Sequence, residues 1–552
     1  MKFLRLIATA SALALLTGCA TIPQSGKIGY GPDVASSLNN DEVYYSQTGP
    51  YDGATQEAVL YGFLNSGNGP QNDYAVAREY LSTSFAAKWQ PNMEVLIQEG
   101  TPELFKVNEQ EYRVTVGVSA QIDEDGRYTS LPEGTKRTST IHFAKSAGEW
   151  RIDSAPNQTI VIRPNFKVLF RSYSLYFFEP SLKYLVPEVR WFPSRASTGT
   201  RLMNALLKGP SDWLKPAVVN VIPLGTKLNI NSVTIENGVA QVDLSSLALR
   251  VPEAKRSKVK AQIAATLKQL PDVTNVEISI QRTPQNITQS EDGLPPRISN
   301  TPTALTSTGL VRLGSDGNKP IAGTSAQILA LKPTDFAYSK LSNRLALVAD
   351  SGVRLIDLSS FSEAKVVDAR AKQLAPSFDP QGALWTLNAV SGAQFIISGN
   401  ERTLLANPWV GGIPQSFAIS PEGSRVAVVF LMDETKVTYV FPVERNKQGR
   451  PVYLGKPIQL TAVPANADKV TWADSVTLAL LAPTRPSGYI PFLVTVGGQL
   501  RASTAVDGAS SLSVNGLGQL FVLQPNGNVI ESRGSSWVTI SQSILALHSS
   551  NE

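Results

Sequence analysis

Cys19 is the sole thiol in 552 residues. It directly follows Leu16-Thr17-Gly18, at the end of an uncharged apolar run over residues 6–16. Sulfur is the strongest nucleophile among ordinary side chains, so this position is suited to accept a covalent group. Other chemistry is thinly supplied. The chain has two histidines, His142 and His548. With no second cysteine and one histidine in a strand-like segment, a zinc site has too few ligands. A Ser-His-Asp triad would have to use one of those two histidines, and His548 falls in what reads as a frayed tail. Asp243, in "VDLSS", is a tempting acid whose ordinary role is a turn or cap at a strand end. Asp350, Asp379 and Asp474 recur near strand ends and suggest a ring of carboxylates, but contexts such as "ADSG" and "FDPQG" are those of turn aspartates. The residues therefore predict no catalytic, cofactor-binding or metal site.

The elements around Cys19 give its chemistry a setting. Lys2 and Arg5 make a short positive segment ahead of the apolar run. At about 1.5 Å per helical residue, that run covers roughly half of a ~30 Å hydrocarbon core. A basic start, a short apolar stretch and small residues at its end describe a secretory signal peptide. Leu16-Thr17-Gly18-Cys19 resembles the lipobox of bacterial lipoproteins. The resemblance implies cleavage between Gly18 and Cys19, an S-diacylglycerol on the Cys19 thiol and, in some members, an N-acyl chain such as palmitate. Two or more acyl chains hold a protein stably on a bilayer. The resulting expectation is a chain anchored by lipid to the extracytoplasmic face of the cell membrane.

Composition allows roughly three domains at ~150 residues each. Apolar content of 42% and charged content of 17% are ordinary for globular protein. The net charge of +5 is small and scattered, so nucleic acid is not an expected partner. Residues 19–50, rich in Gly, Pro, Ser and Asn, read as a tether. Residues 51–165 carry helical patterns, "TQEAVLYGFLNSG" and "NDYAVAREYLSTSFAAKW", and then strand patterns, which predicts an α+β domain. His142 alternates with Ile141 and Phe143 and is expected on the sheet surface. "GEWRIDSAPN" resembles the closing strand of NTF2-like domains.

Residues 166–282 form a second α+β pattern. "STGTRLMNALLKGPSDWL" offers Thr198 or Thr200 as an N-cap, one apolar face, and a stop at Gly209-Pro210. "IENGVAQVDL" is a hairpin signal centred on Asn237-Gly238. Aromatic residues Tyr173, Tyr176, Phe177 and Trp191 would mark a ligand pocket if they faced one; strand core is their plainer role. "NALLKGP", "VIPLGTKLNINSVTIENGVAQVDLS" and "IAATLKQLPDVTNVEISI" resemble the GerMN domain of spore-germination and cell-envelope proteins, which implies a binding or assembly module. Residues 283–303, with four prolines, read as a linker.

Residues 304–552 repeat. Units begin at Phe336, Phe378, Phe417, Trp472 and Leu512, each reading strand, tight turn, apolar strand, turn, strand. Four-stranded units of this length cannot cover both faces alone, and a ring of them can. A sixth unit could draw on residues 307–315, giving five to seven blades. The predicted fold is multidomain: two α+β domains followed by an all-β propeller.

In that order the pieces resemble the LpqB lipoproteins of actinobacteria. The resemblance implies a non-enzymatic accessory lipoprotein that binds the extracytoplasmic part of a sensor histidine kinase of the MtrAB two-component type and affects envelope homeostasis and division. It carries over only Cys19 as a functional position. The alternatives are a secreted cell-wall hydrolase and a glycan- or solute-binding lipoprotein.

Overall fold

The computed structural model describes residues 47–550, apart from 195–196, 289–292, 315–316, 351, 361–362, 400, 407–410 and 485–487. Cys19, the signal segment and most of the tether lie outside the described residues. Residues 42–552 make up one compact unit.

The first layer begins with a helix, Gln56–Ser66, capped by the Thr55 side chain, which accepts from the Ala58 N–H. Val59, Leu60, Phe63 and Leu64 lie on its buried face. Gly67 follows it at a position that admits no side chain, since a Cβ there would stand 2.6 Å from the Ile160 carbonyl oxygen. The next pattern does not give one helix. It breaks into a 3-10 turn, Gln71–Asp73, and short helices Ala75–Glu79 and Thr83–Ala86. The break has a partner: the Ile152 N–H donates to the Tyr80 carbonyl and the Ser82 N–H to the Ile152 carbonyl. Residues 80–82 thus meet the edge of a sheet, and Ser82 restarts the helix by accepting from the Phe85 N–H. The six-stranded sheet behind them orders its strands as Glu149–Ser154, Lys136–Ser146, Glu111–Asp123, Glu94–Lys106 and Thr159–Ile162, with Tyr128–Ser130 on the side. His142 is exposed between buried Ile141 and Phe143, as the alternation predicts.

A helix, Arg163–Leu169, leads into the hairpin of Phe170–Phe178 and Leu185–Pro193. Helix Thr198–Lys208 buries Leu202, Met203, Leu206 and Leu207 and stops at Gly209, φ +101°. Neither Thr198 nor Thr200 caps it. Ser197 holds the cap position, while Thr198 Oγ1 donates to the Pro193 carbonyl and Thr200 Oγ1 accepts from the Val233 N–H. The Asn237-Gly238 turn has both φ values positive, at +50° and +80°, as its hairpin requires. Strand Val239–Leu244 then pairs in parallel with Asn275–Ile280 across helix Glu253–Leu267.

The stretch after residue 284 is held by neighbours. The Gly293 carbonyl accepts from Leu185 N–H at 2.5 Å, Ser299 N–H donates to the Ser550 carbonyl, and the Ser299 carbonyl accepts from Gly516 N–H.

Six antiparallel sheets follow. Five start at Asp335–Ser339, Ser377–Phe378, Ile413–Ile419, Lys469–Trp472 and Ser511–Val514. The remaining one joins Thr303–Leu305, Leu310–Arg312 and Lys319–Pro320 to Ala546–His548, so strands from both ends of the region share a sheet. Each junction between neighbouring sheets has its own apolar core. Leu305 and Phe336 share one, Val348 and Leu384 the next, Trp385 and Phe417 the third. Val440 and Leu480 share the fourth, Leu481 and Val522 the fifth, Phe521 and Leu547 the sixth. Six sheets with six shared cores form a closed cycle, and every sheet buries both faces.

Candidate functional site

The first strands of five sheets and the strand Ala546–His548 of the closing sheet surround a channel of ≈ 290 Å³. An innermost strand pairs on one side only, so its other backbone edge faces the channel. Hydroxyls on or next to each strand line it, among them Ser339, Ser377, Ser416, Thr471, Ser511 and Ser549. Its ionisable side chains are Asp335, Tyr338, Asp379, Lys469 and His548.

His548 is not in a frayed tail. It is the last residue of Ala546–His548, fixed opposite Thr303 in the closing sheet. Its Nε2 donates to Asp335 Oδ1 at 2.6 Å, and the same oxygen accepts from the Phe336 N–H at 2.8 Å. The Phe336 ring meets the imidazole edge-on, with centroids 5.1 Å apart. Both partners are about one-third exposed, at 29% and 32%, so the pair is accessible from the channel. Residue types alone did not single out Asp335. Its partner lies 213 positions away, and only ring closure brings the two together.

Asp379 touches the channel but is committed elsewhere. It accepts from the N–H groups of Gln381 and Ala383, as a turn aspartate does, and also from Trp385 Nε1 and from Arg445 at 2.9 Å. The Asp379 and Arg445 side chains are both fully buried. Asp474 accepts from the Val476 and Thr477 N–H groups, and Asp350 sits exposed in a turn. The three aspartates do not converge, because neither Asp350 nor Asp474 lines the channel with Asp379.

Asp243 is equally occupied. Burial pushes its carboxyl pKa upward, yet hydrogen bonds from Asn229, the Arg282 N–H and Ser279 outweigh burial and hold it below the ordinary value of 3.8. Asp368, which the sequence did not mark, behaves likewise. Burial opposes its charge, but paired hydrogen bonds from Arg370 and one from Thr386 lower its pKa. Both carboxylates are structural acceptors. Among the described residues, no three of His, Cys, Asp and Glu gather as metal ligands, and no helix is long and apolar enough to cross a membrane.

The four aromatics divide between core and junction. Phe177 is fully buried. Tyr173 packs on the core of the middle region, and Tyr176 on the smaller cluster around Phe178. Trp191 does more than fill space. Its ring lies 5.1 Å from Phe166 and 5.6 Å from Tyr128, and its Nε1 donates to the Gly497 carbonyl in the ring of sheets. Arg425 reaches the other way, donating to the Pro187 carbonyl while pairing with Glu422, both side chains being almost wholly buried. Thr461 Oγ1 donates to the Ser130 carbonyl. These bonds join the N-terminal sheet, the middle region and the ring into one framework around a second cavity of ≈ 210 Å³.

Comparison with known proteins agrees with this layout. A family model described as "Lipoprotein LpqB, N-terminal domain" matches residues 49–167. One described as "Sporulation and spore germination" matches 174–286, and "Lipoprotein LpqB beta-propeller domain" matches 308–544. Among curated relatives, "Lipoprotein LpqB" of Thermobifida fusca is 26% identical over 70% of this chain and 66% of its own length. That of Bifidobacterium longum is 26% identical over 86% of this chain and 84% of its own. That of Streptomyces avermitilis is 24% identical over 95% and 94%. Among solved structures, TolB from Acinetobacter baumannii aligns with 70% of this chain and 84% of its own at 13% identity, with a TM-score of 0.36, too low for a shared fold to follow.

Proposed function

The chain belongs to the LpqB lipoprotein family, and from that premise we propose that it is a membrane-anchored accessory protein acting by binding rather than by catalysis. In this reading the chain is cut between Gly18 and Cys19, and Cys19 carries an S-diacylglycerol. Residues 19–50 span the distance to an NTF2-like α+β domain over 51–165. A GerMN-like domain over 166–282 follows, then a connecting stretch, 283–303, and a six-bladed propeller over 304–552. The body stands on the extracytoplasmic face. Its partner is the extracytoplasmic domain of a sensor histidine kinase of the MtrAB type, which ties it to envelope homeostasis and division.

The observation that carries the binding role is the bonding of all three regions into one framework, through Trp191 to Gly497, Arg425 to Pro187 and Thr461 to Ser130. A framework of this kind presents a preformed surface, which lowers the ordering cost of association. Purified full-length protein is tested for capture of the kinase's extracytoplasmic domain, and intact mass of the native protein is tested for a lipidated residue 19. Failure of capture removes the partner; a bare thiol behind an intact leader removes the anchor.

A second reading has its own support. The hydroxyl-lined channel with His548 and Asp335 exposed to it is suited to a small polar solute such as a sugar. Stabilisation of the protein by monosaccharides, abolished by His548→Ala, would favour it.

A further inference from the structure

Leu224 and Leu249 protrude from two segments that are bonded to each other. Leu224 is 89% exposed and Leu249 is 54% exposed, and the loop and 3-10 turn that bear them, Leu224 just before Thr226 and Ser246–Arg250, are tied together. The Lys227 N–H donates to Ser245 Oγ, the Ser245 N–H donates to the Lys227 carbonyl, and a side chain at Gly225 would touch Leu247. The same edge of the middle region carries Lys227 and Arg250, and the first turn of helix Glu253–Leu267 adds Lys255 and Arg256. None of these four cations is in an ion pair among the described residues.

Two features set this cluster apart. Lys255 and Arg256 sit where the helix dipole is positive, and the cap residue, Pro252, supplies no side-chain acceptor. That placement costs helix stability, and Glu253 is the one acid in the same turn that offsets it. The neighbouring acids are elsewhere. Asp243 is engaged by Asn229, Ser279 and the Arg282 N–H, Glu236 and Asp272 lie by the other end of the strands, near Val239 and Asn275, and of the helix's first turn Glu253 is the acid that shares the edge.

We propose that this edge, Leu224 and Leu249 flanked by Lys227, Arg250, Lys255 and Arg256, docks on the surface of an anionic lipid bilayer. Protruding leucines enter the headgroup–acyl boundary while lysine and arginine meet phosphates, the combination by which peripheral surfaces hold to membranes. The proposal builds on the lipid-anchor reading. An anchor at Cys19 keeps the body close to the bilayer, and the edge gives it an orientation there.

The test uses the chain from residue 20 onward, which retains the compact unit 42–552 and carries neither leader nor thiol. It is sedimented with vesicles of phosphatidylcholine alone and of phosphatidylcholine mixed with phosphatidylglycerol. The expected result is binding to the anionic vesicles that weakens as salt rises. Lys255→Glu/Arg256→Glu and Leu224→Ser/Leu249→Ser should each reduce partitioning by roughly ten-fold or more, while Leu404→Ser/Leu517→Ser, at two exposed leucines of the ring, should leave it unchanged. No binding to anionic vesicles, or equal binding by the charge-reversed variant, overturns the proposal. Binding to a soluble polyanion with none to vesicles also overturns it and points to a wall polymer. Because the tested chain lacks Cys19, these outcomes are independent of whether the native protein is lipidated.

Discussion

His548 Nε2 lies 2.6 Å from Asp335 Oδ1, joining the strand that closes the ring to the first strand of the neighbouring sheet. The contact is partly exposed, which limits its energy, yet it spans a junction that no covalent bond secures. His548→Ala and Asp335→Ala should each lower stability by about 1 kcal/mol. A double-mutant cycle should show that the two losses are not additive. Thermal unfolding of the four proteins checks this, and additive losses would show that the pair is not coupled.

The Asp379–Arg445 pair should matter more. Both side chains are fully buried, and Asp379 also accepts from Trp385 and two backbone N–H groups. Arg445→Met strands a buried carboxylate and should cost about 3–5 kcal/mol. Chemical denaturation would measure the loss; a cost under about 1 kcal/mol would mean that the remaining donors to Asp379 suffice.

Trp191→Ala should loosen the junction between regions. It removes two aromatic contacts and the bond to Gly497, a loss of about 3 kcal/mol by analogy with other large-to-small changes. Calorimetry should then resolve separate transitions, and proteases should cut sooner within residues 283–303. A single unchanged transition would count against the bridging role.

Asp368 sets an acid limit. Its pKa is lowered in the fold, so its contribution is complete above the unfolded value near 3.8 and is lost as pH falls through the lower folded value. The stability gap between the parent and Asp368→Asn should therefore be constant near neutrality and shrink below about pH 3.8. Melting temperatures recorded from neutral to strongly acidic pH test the sign.

Local signals carried much of the fold. Asn237-Gly238 announced its hairpin, and the spacing of Leu202, Met203, Leu206 and Leu207 announced the buried face of their helix, because both depend on residues within a few positions. The segment around Tyr80 misled for the opposite reason. Its periodicity is helical and its apolar residues are buried, but hydrogen bonds with Ile152, over seventy positions on, break the helix. Asp474 was legible as a structural aspartate from its turn context, whereas Asp243 lies within strand Val239–Leu244 and its partners Asn229, Ser279 and Arg282 come from other segments. The second role of Asp379 was not legible, since Arg445 is 66 positions away. His548 was misread because its order comes from pairing with Thr303, a relation that no local window contains. Cys19 lies outside the described residues.

The strand Ala546–His548 has a consequence for biogenesis. During synthesis, Thr303–Leu305 emerges long before its partner. At about 5–20 residues per second the unfinished circle must wait on the order of ten seconds or more with an unpaired border. Such a border invites association between nascent chains. A premature stop only a few codons before residue 546 would make that vulnerability permanent, although almost every other element of the protein had already been made.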